Sequence, residues 1–282
     1  MRPRRSIRKA VVAAAVTIPL ALAGCGSDSL RSAVESAGGV TGGDFHSLVA
    51  DPAVAGRIYV GGHTAVSRSD DFGKTWTSVE ALVNADAMGW AIGPDTMWVS
   101  GHPGLTKSVD GGVTFTGHNE GLPDTDVHAL GAVDEVLYAA GPGIGVAQSS
   151  DGGTSWTTLT DASGQAFFGR ILIDPTDAEH LIAADVQNGA VASQDGGRTW
   201  APLGTDPAAW VSSPDGSRTL YVSGGPAAQR SSDGGKTWET LTIPPGATLV
   251  EATAGSLYAG VHDSESVTVW VSADDGVTWK LP

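Results

Sequence analysis

Aspartates and histidines recur along this 282-residue chain in a pattern suited to chemistry. Asp44 and His46, Asp86 and Met88, and Asp126 and His128 each set a carboxylate two residues before an imidazole or a thioether. Two more histidines follow glycines: His63 in Gly61-Gly62-His63-Thr64 and His102 in Ser100-Gly101-His102-Pro103-Gly104. Imidazoles and carboxylates together ligate zinc, copper or iron, and a thioether favours copper. His46, His63, His102 and His128 are therefore the candidate metal ligands, with zinc or copper the candidate cofactor and Met88 a further candidate ligand-binding residue. Carboxylates have a second use, because a pair about 5 to 10 Å apart can break a glycosidic bond. Asp44, Asp86 and Asp126 are the candidate catalytic groups on that reading. No contiguous stretch holds a whole site of the HExxH kind, so only the fold can assemble one. A lone histidine in a tight loop serves that loop's own backbone; a ligand site requires the set to converge.

The elements that must position these residues repeat at the same interval. The phrase S-x-D-x-G-x-[TS]-[WF] occurs six times, at residues 69–76, 108–115, 149–156, 193–200, 231–238 and 272–279. Its first serines lie 39, 41, 44, 38 and 41 residues apart, the length of one four-stranded propeller blade. Between copies run short apolar pulses, such as 46–50, 57–60, 65–68 and 75–79 in the first repeat. Tyr59, Tyr138, Tyr221 and Tyr258 share one slot in the second pulse. Such pulses, separated by turn residues, read as strands, and no stretch carries a helical apolar period. The expected fold class is all-β: a six-bladed β-propeller with four-stranded antiparallel blades over residues 44–282. Both ends fall at blade boundaries, so no strand is expected to pass between the first and last blades; a short last strand over 279–281 completes the count. In the repeated phrase the serine and aspartate suit hydrogen bonds to the turn's own amides, glycine suits the tight backbone, and tryptophan buries a large apolar face. The phrase lacks the longer loop and distal glutamate of an EF-hand, so it is not expected to bind calcium.

In a propeller the first strand of each blade lines the central channel. The loops entering that strand share a face with the loops joining the second and third strands, while the repeated phrase lies on the other face. Five of the seven histidines, His46, His63, His102, His128 and His262, then map to one face, with His118 and His180 elsewhere. Asp206 holds the matching place in the fifth repeat, whereas Phe167 and Gly246 break the series.

Residues 1–24 read as an address. Arg2, Arg4, Arg5, Arg8 and Lys9 precede an apolar run over 10–23, too short for a comfortable membrane span. Leu22-Ala23-Gly24-Cys25 resembles the lipobox cut before a lipid-modified cysteine, and Cys25 is the only cysteine in the chain. The expectation is a lipoprotein signal peptide over 1–24, a Gly/Ser-rich tether over 25–43 and a protein anchored through lipidated Cys25 on the extracytoplasmic face of the membrane. With one cysteine no internal disulfide forms. Removing the leader's five positive charges takes the net charge from −15 to −20, which argues against nucleic acid as a partner. A monomer with a protein or glycan ligand is expected.

The six-fold phrase resembles the Asp-box, or BNR repeat, of sialidases, sortilin-like receptors and photosystem assembly factors. Asp44-Phe45-His46-Ser47-Leu48, Gly62-His63-Thr64, Asp86-Ala87-Met88-Gly89, Ser100-Gly101-His102-Pro103 and Asp126-Val127-His128-Ala129-Leu130 resemble more narrowly a family of secreted bacterial Asp-box propellers. That family is catalogued as sialidase-like glycosyl hydrolases, and the resemblance implies exo-α-sialidase activity. Sialidases share three arginines on the substrate carboxylate, a tyrosine nucleophile paired with a glutamate, and an aspartate acid/base. Beyond the tether the arginines are Arg57, Arg68, Arg170, Arg198, Arg218 and Arg230, and only Arg170 is placed for such a clamp. No Arg-Ile-Pro motif occurs, the tyrosines all hold one repeat slot, and Glu135 and Glu251 are expected on strand or turn surfaces. Three readings stand: a binding or assembly propeller using its acidic His/Asp face, a metal-dependent protein with ligands on that face, and a sialidase-like glycosyl hydrolase.

Overall fold

The computed structural model describes residues 38–282. The expected signal peptide, Cys25 and the tether up to residue 37 lie outside the described residues. Among the described residues the fold is all-β, and its one helix is a single 3-10 turn, Glu80–Leu82. No described helix is long and apolar enough to cross a membrane.

The strands group in fours. In the first sheet Phe45–Ala50, Ile58–Gly62, Val66–Ser69 and Thr77–Ser78 pair antiparallel in chain order. The same meander recurs over Gly89–Ile92, Met97–Gly101, Gly104–Ser108 and Thr116–Gly117. It recurs again over Trp210–Ser212, Leu220–Ser223, Gln229–Ser231 and Glu239–Thr240. Two further meanders, one beginning at Ala129–Val133 and the next at Phe167–Asp174, join into one eight-stranded sheet. They join because the first strands pair in parallel, Ala129 opposite Gly169 and Leu130 opposite Arg170. Neighbouring sheets stack face to face, so their middle strands are buried on both sides: Ile58, Tyr59 and Val60 are all inaccessible, as are Leu181, Ile182 and Ala183. First strands of neighbouring sheets lie against one another: Gly89–Ile92 against Ala129–Val133, Phe167–Asp174 against Trp210–Ser212, Trp210–Ser212 against Ala247–Thr253, and Phe45–Ala50 against Ala247–Thr253 of the last. Between the first and second sheets Ser47 makes the link, donating to the Ala87 carbonyl at 2.8 Å and accepting from Trp90 Nε1 at 2.9 Å.

The repeated phrase builds one hydrogen-bonded turn. Ser69 Oγ donates to Asp71 Oδ1 at 2.8 Å and accepts from the Gly73 amide at 2.8 Å. Asp71 also accepts from the Thr75 amide and hydroxyl, and Trp76 Nε1 donates to the Gly73 carbonyl. The serine–aspartate–glycine core recurs at Ser108, Ser149, Ser193, Ser231 and Ser272. Hydrogen bonds from the turn hold the carboxyls of Asp110, Asp151, Asp195, Asp233 and Asp274 down at about 2. These aspartates are spent on structure.

Two expectations are overturned. First, a strand does pass between the ends. The last sheet orders Ala247–Thr253, Ser256–Asp263 and Ser266–Ser272, and its fourth strand is Gly39–Val40 from within the expected tether. Gly39 faces Val267 and Val40 faces Ser266, while the segment after Trp279 contributes one bridge, Val271 to Lys280. Without Gly39–Val40 most of the Ser266–Ser272 edge would be left unpaired. The strand fits because residue 39 is glycine: a Cβ there would meet Val60 Cγ2 at 2.3 Å and Trp76 Cε3 at 2.8 Å. Second, Glu251 is not on a surface. It is 1 % exposed and accepts from Arg170 Nη1 at 2.7 Å, Trp210 Nε1 at 3.1 Å and the Ala50 amide at 3.3 Å. Burial pushes its carboxyl up, against the opposing pull of Arg170 and Trp210. One carboxylate thus ties together the first strands of four sheets.

Candidate functional site

The aspartates at the head of the first strands are set by backbone contact. At the end of each second strand stands a glycine whose Cβ would collide with the aspartate's carbonyl oxygen. The gap would be 2.0 Å from Gly62 to Asp44, 1.6 Å from Gly101 to Asp86 and 2.1 Å from Gly141 to Asp126. Only glycine admits that approach. The residues after the first two glycines are His63 and His102, so this contact carries each histidine to the head of a first strand. All of these residues sit at strand ends opposite those that meet the repeated turns.

There the side chains link in a row. Asp86 is 6 % exposed, and both of its oxygens are engaged: Oδ1 with His46 Nδ1 at 2.7 Å and Oδ2 with His102 Nδ1 at 2.9 Å. An ionised carboxylate only accepts, so each imidazole donates its Nδ1 proton and in its neutral form keeps a lone pair on Nε2. On the far side His102 Nε2 meets Asp126 Oδ1, and His128 Nε2 lies 2.7 Å from the same oxygen. The latter pair is not aligned as a hydrogen bond. His128 Nε2 and Asp126 Oδ1 are both buried and have no hydrogen-bond partner among the described residues.

The four candidate ligand histidines do not surround one point. They fall into two groups, Asp44 with His46 and His63, and Asp126 with His102 and His128. Within each group one donor atom per residue lies within 4.8 Å of the others. The imidazoles of His46 and His63 are 5.5 Å apart at their centroids, and those of His102 and His128 5.6 Å. Two imidazoles with one carboxylate is a donor set for zinc, copper or non-haem iron.

Electrostatics follow from the same contacts. Burial raises the Asp86 carboxyl, but hydrogen bonds from His46 and His102 and the charge of the imidazoles outweigh it and hold the group below the usual carboxylate range. Burial lowers His102, yet Asp86 and Asp126 on either side raise it overall.

Phe168 was not among the expected site residues. Its ring stands edge-on to both His46 and His128, at 5.8 Å from each. A bulge between Phe168 and Ile171, with Gly169 at φ +77°, aims it there and sends Arg170 toward Glu251. The cue is the Phe167-Phe168-Gly169 break in the aspartate series. Met88 is buried. His262 packs against Phe45 at 6.1 Å and Asp206 is exposed, both apart from the two groups. His118 bonds the Gly152 carbonyl and His180 pairs with Asp174.

The family described as BNR/Asp-box repeat matches residues 229–240. No curated protein matches the chain in sequence. Among solved structures, the GH74 xyloglucanase from Xanthomonas campestris is similar, with TM-score 0.61 and 18 % identity over 89 % of this chain and 46 % of that one. The GH74 enzyme of Niastella koreensis gives 0.58 and 19 % over 87 % and 46 %. YCF48 from Cyanidioschyzon merolae gives 0.49 and 16 % over 86 % and 85 %. The chain spans about half the length of the two GH74 chains it resembles. At these identities the likeness to the two GH74 chains is one of fold: the chain is an all-β propeller and carries a match to the BNR/Asp-box repeat.

Proposed function

We propose that this chain is a six-bladed propeller that works as a binding or assembly module, and that its His/Asp face holds a transition-metal cation of the zinc or copper class. The observation that carries the metal reading is the meeting of His102 Nε2, His128 Nε2 and Asp126 Oδ1, two of them buried without hydrogen-bond partners. Buried polar atoms are ordinarily satisfied, and a cation bound by all three would satisfy them together. Asp86 supports the reading as the outer carboxylate that orients a ligating imidazole through its other nitrogen. Three protein donors leave a coordination position for a ligand, for which a protein or glycan group is the proposed occupant. Six copies of the repeated turn and strands grouped in fours support the blade number. The lipobox-like Leu22-Ala23-Gly24-Cys25 supports a protein held by lipid at the extracytoplasmic membrane face.

The sialidase-like alternative has less behind it. Arg170 is committed to Glu251, and Asp86 to His46 and His102. Metal analysis of the purified chain tests the proposal: bound zinc or copper, lost in His128→Ala, is expected, and a wild type that takes up neither metal would sink it. Turnover of sialosides abolished by Asp126→Asn would restore the alternative.

A further inference from the structure

We infer that this face is built for two cations, the second held by Asp44, His46 and His63; the inference rests on the metal reading above. Each group offers two imidazoles and one carboxylate, each within the same 4.8 Å limit. The residue between the groups treats them alike. Asp86 gives Oδ1 to His46 and Oδ2 to His102, in both cases at Nδ1, so one buried carboxylate orients one imidazole of each group. Both Nε2 atoms are thereby left as donors. A site for a single cation needs one such support; here the same carboxylate supplies two, through its two oxygens.

The surroundings repeat the symmetry. Phe168 stands edge-on to His46 of the first group and His128 of the second at equal distance, an apolar wall common to both. Each group also takes one histidine from a glycine loop, His63 after Gly62 and His102 after Gly101, and one from a first strand or its approach. Charge points the same way. Asp44, Asp86 and Asp126 bring three negative charges to four imidazoles that ligate in the neutral form, and two divalent cations offset them where one would leave the face negative. With both cations bound the face carries a small positive excess. Its open coordination positions then suit an anionic oxygen ligand, such as a carboxylate or phosphate, which fits a binding module better than the acidic face alone does.

The test is zinc stoichiometry on the full chain after chelator treatment, titrated with Zn²⁺ and read by calorimetry and by elemental analysis. Two zinc ions per chain are expected in the wild type, one in His63→Ala, one in His128→Ala and none in the double variant. Asp86→Asn is expected to weaken both sites, by about 10- to 100-fold as for other outer carboxylates. One zinc per wild-type chain, unchanged by His63→Ala and lost in His128→Ala, would overturn the second site and leave the proposed function standing. No zinc, and no copper in the same titration run with Cu²⁺, would overturn both. Should an alanine variant fail to fold, the wild-type count alone decides between two and one.

Discussion

Glu251→Ala probes the centre of the fold where the structure departs most from a surface role. The substitution removes the acceptor of Arg170, Trp210 Nε1 and the Ala50 amide at once. It leaves a guanidinium that is 20 % exposed, with no replacement acid beside it among the described residues. Breaking a buried ion pair from one side costs about 3–5 kcal/mol, and the stranded indole and amide donors add to the loss. For a domain of this size 1 kcal/mol shifts the melting temperature by about 2–4 °C, so a fall of roughly 6 to 20 °C is expected. Differential scanning calorimetry on wild type, Glu251→Ala and Glu251→Gln measures it, with the glutamine variant, which keeps an acceptor, falling in between. The pair Arg170→Met with Glu251→Leu is expected to recover much of the loss, because apolar replacements remove the uncompensated charge. A Glu251→Ala protein melting within a degree or two of wild type would place the carboxylate in water and contradict its buried role.

Gly39→Val is expected to lower the denaturant midpoint by the equivalent of about 1–3 kcal/mol, the usual cost of overpacking, because the new side chain meets Val60 and Trp76. Val40→Thr, at a 41 % exposed position of the same strand, serves as the control and is expected to change little. Acid should unfold the protein between about pH 4 and pH 2. Asp110, Asp151, Asp195, Asp233 and Asp274 fall from 3.8 to about 2 in the folded state. Their stabilisation is present above the unfolded value and is lost as pH falls through the folded one. Tryptophan fluorescence constant to pH 4 and changing below it is the expected trace; a transition centred above pH 5 would contradict it.

The repeated turns and the strands between them were legible because both are local. A serine, an aspartate and a glycine at fixed offsets close their own hydrogen bonds, and Tyr59 or Tyr258 marks its strand by residue type alone. The gathering of His46, His63, His102 and His128 at one end of the strands followed from the repeat, since equivalent positions in a periodic fold come to equivalent places. Their division into two groups did not, because it depends on Asp86 facing two ways and on the bulge at Phe168. Glu251 and Arg170 are 81 residues apart, and no local pattern marks an acid within a buried strand as the partner of a distant arginine. Gly38-Gly39-Val40 reads as linker for a related reason. Two residues paired with the last sheet carry no strand signal of their own; what selects glycine there is the approach of Val60 and Trp76.

The central claim is that the His/Asp face holds metal. Crystals of the purified chain grown with zinc, measured on both sides of the zinc absorption edge, test it most directly. An anomalous peak is expected about 2.0–2.2 Å from His102 Nε2, His128 Nε2 and an Asp126 oxygen, and a second among Asp44, His46 and His63. Anomalous density found only at unrelated surface carboxylates, with His46 and His102 still bonded to Asp86 and no peak among the histidines, would contradict it.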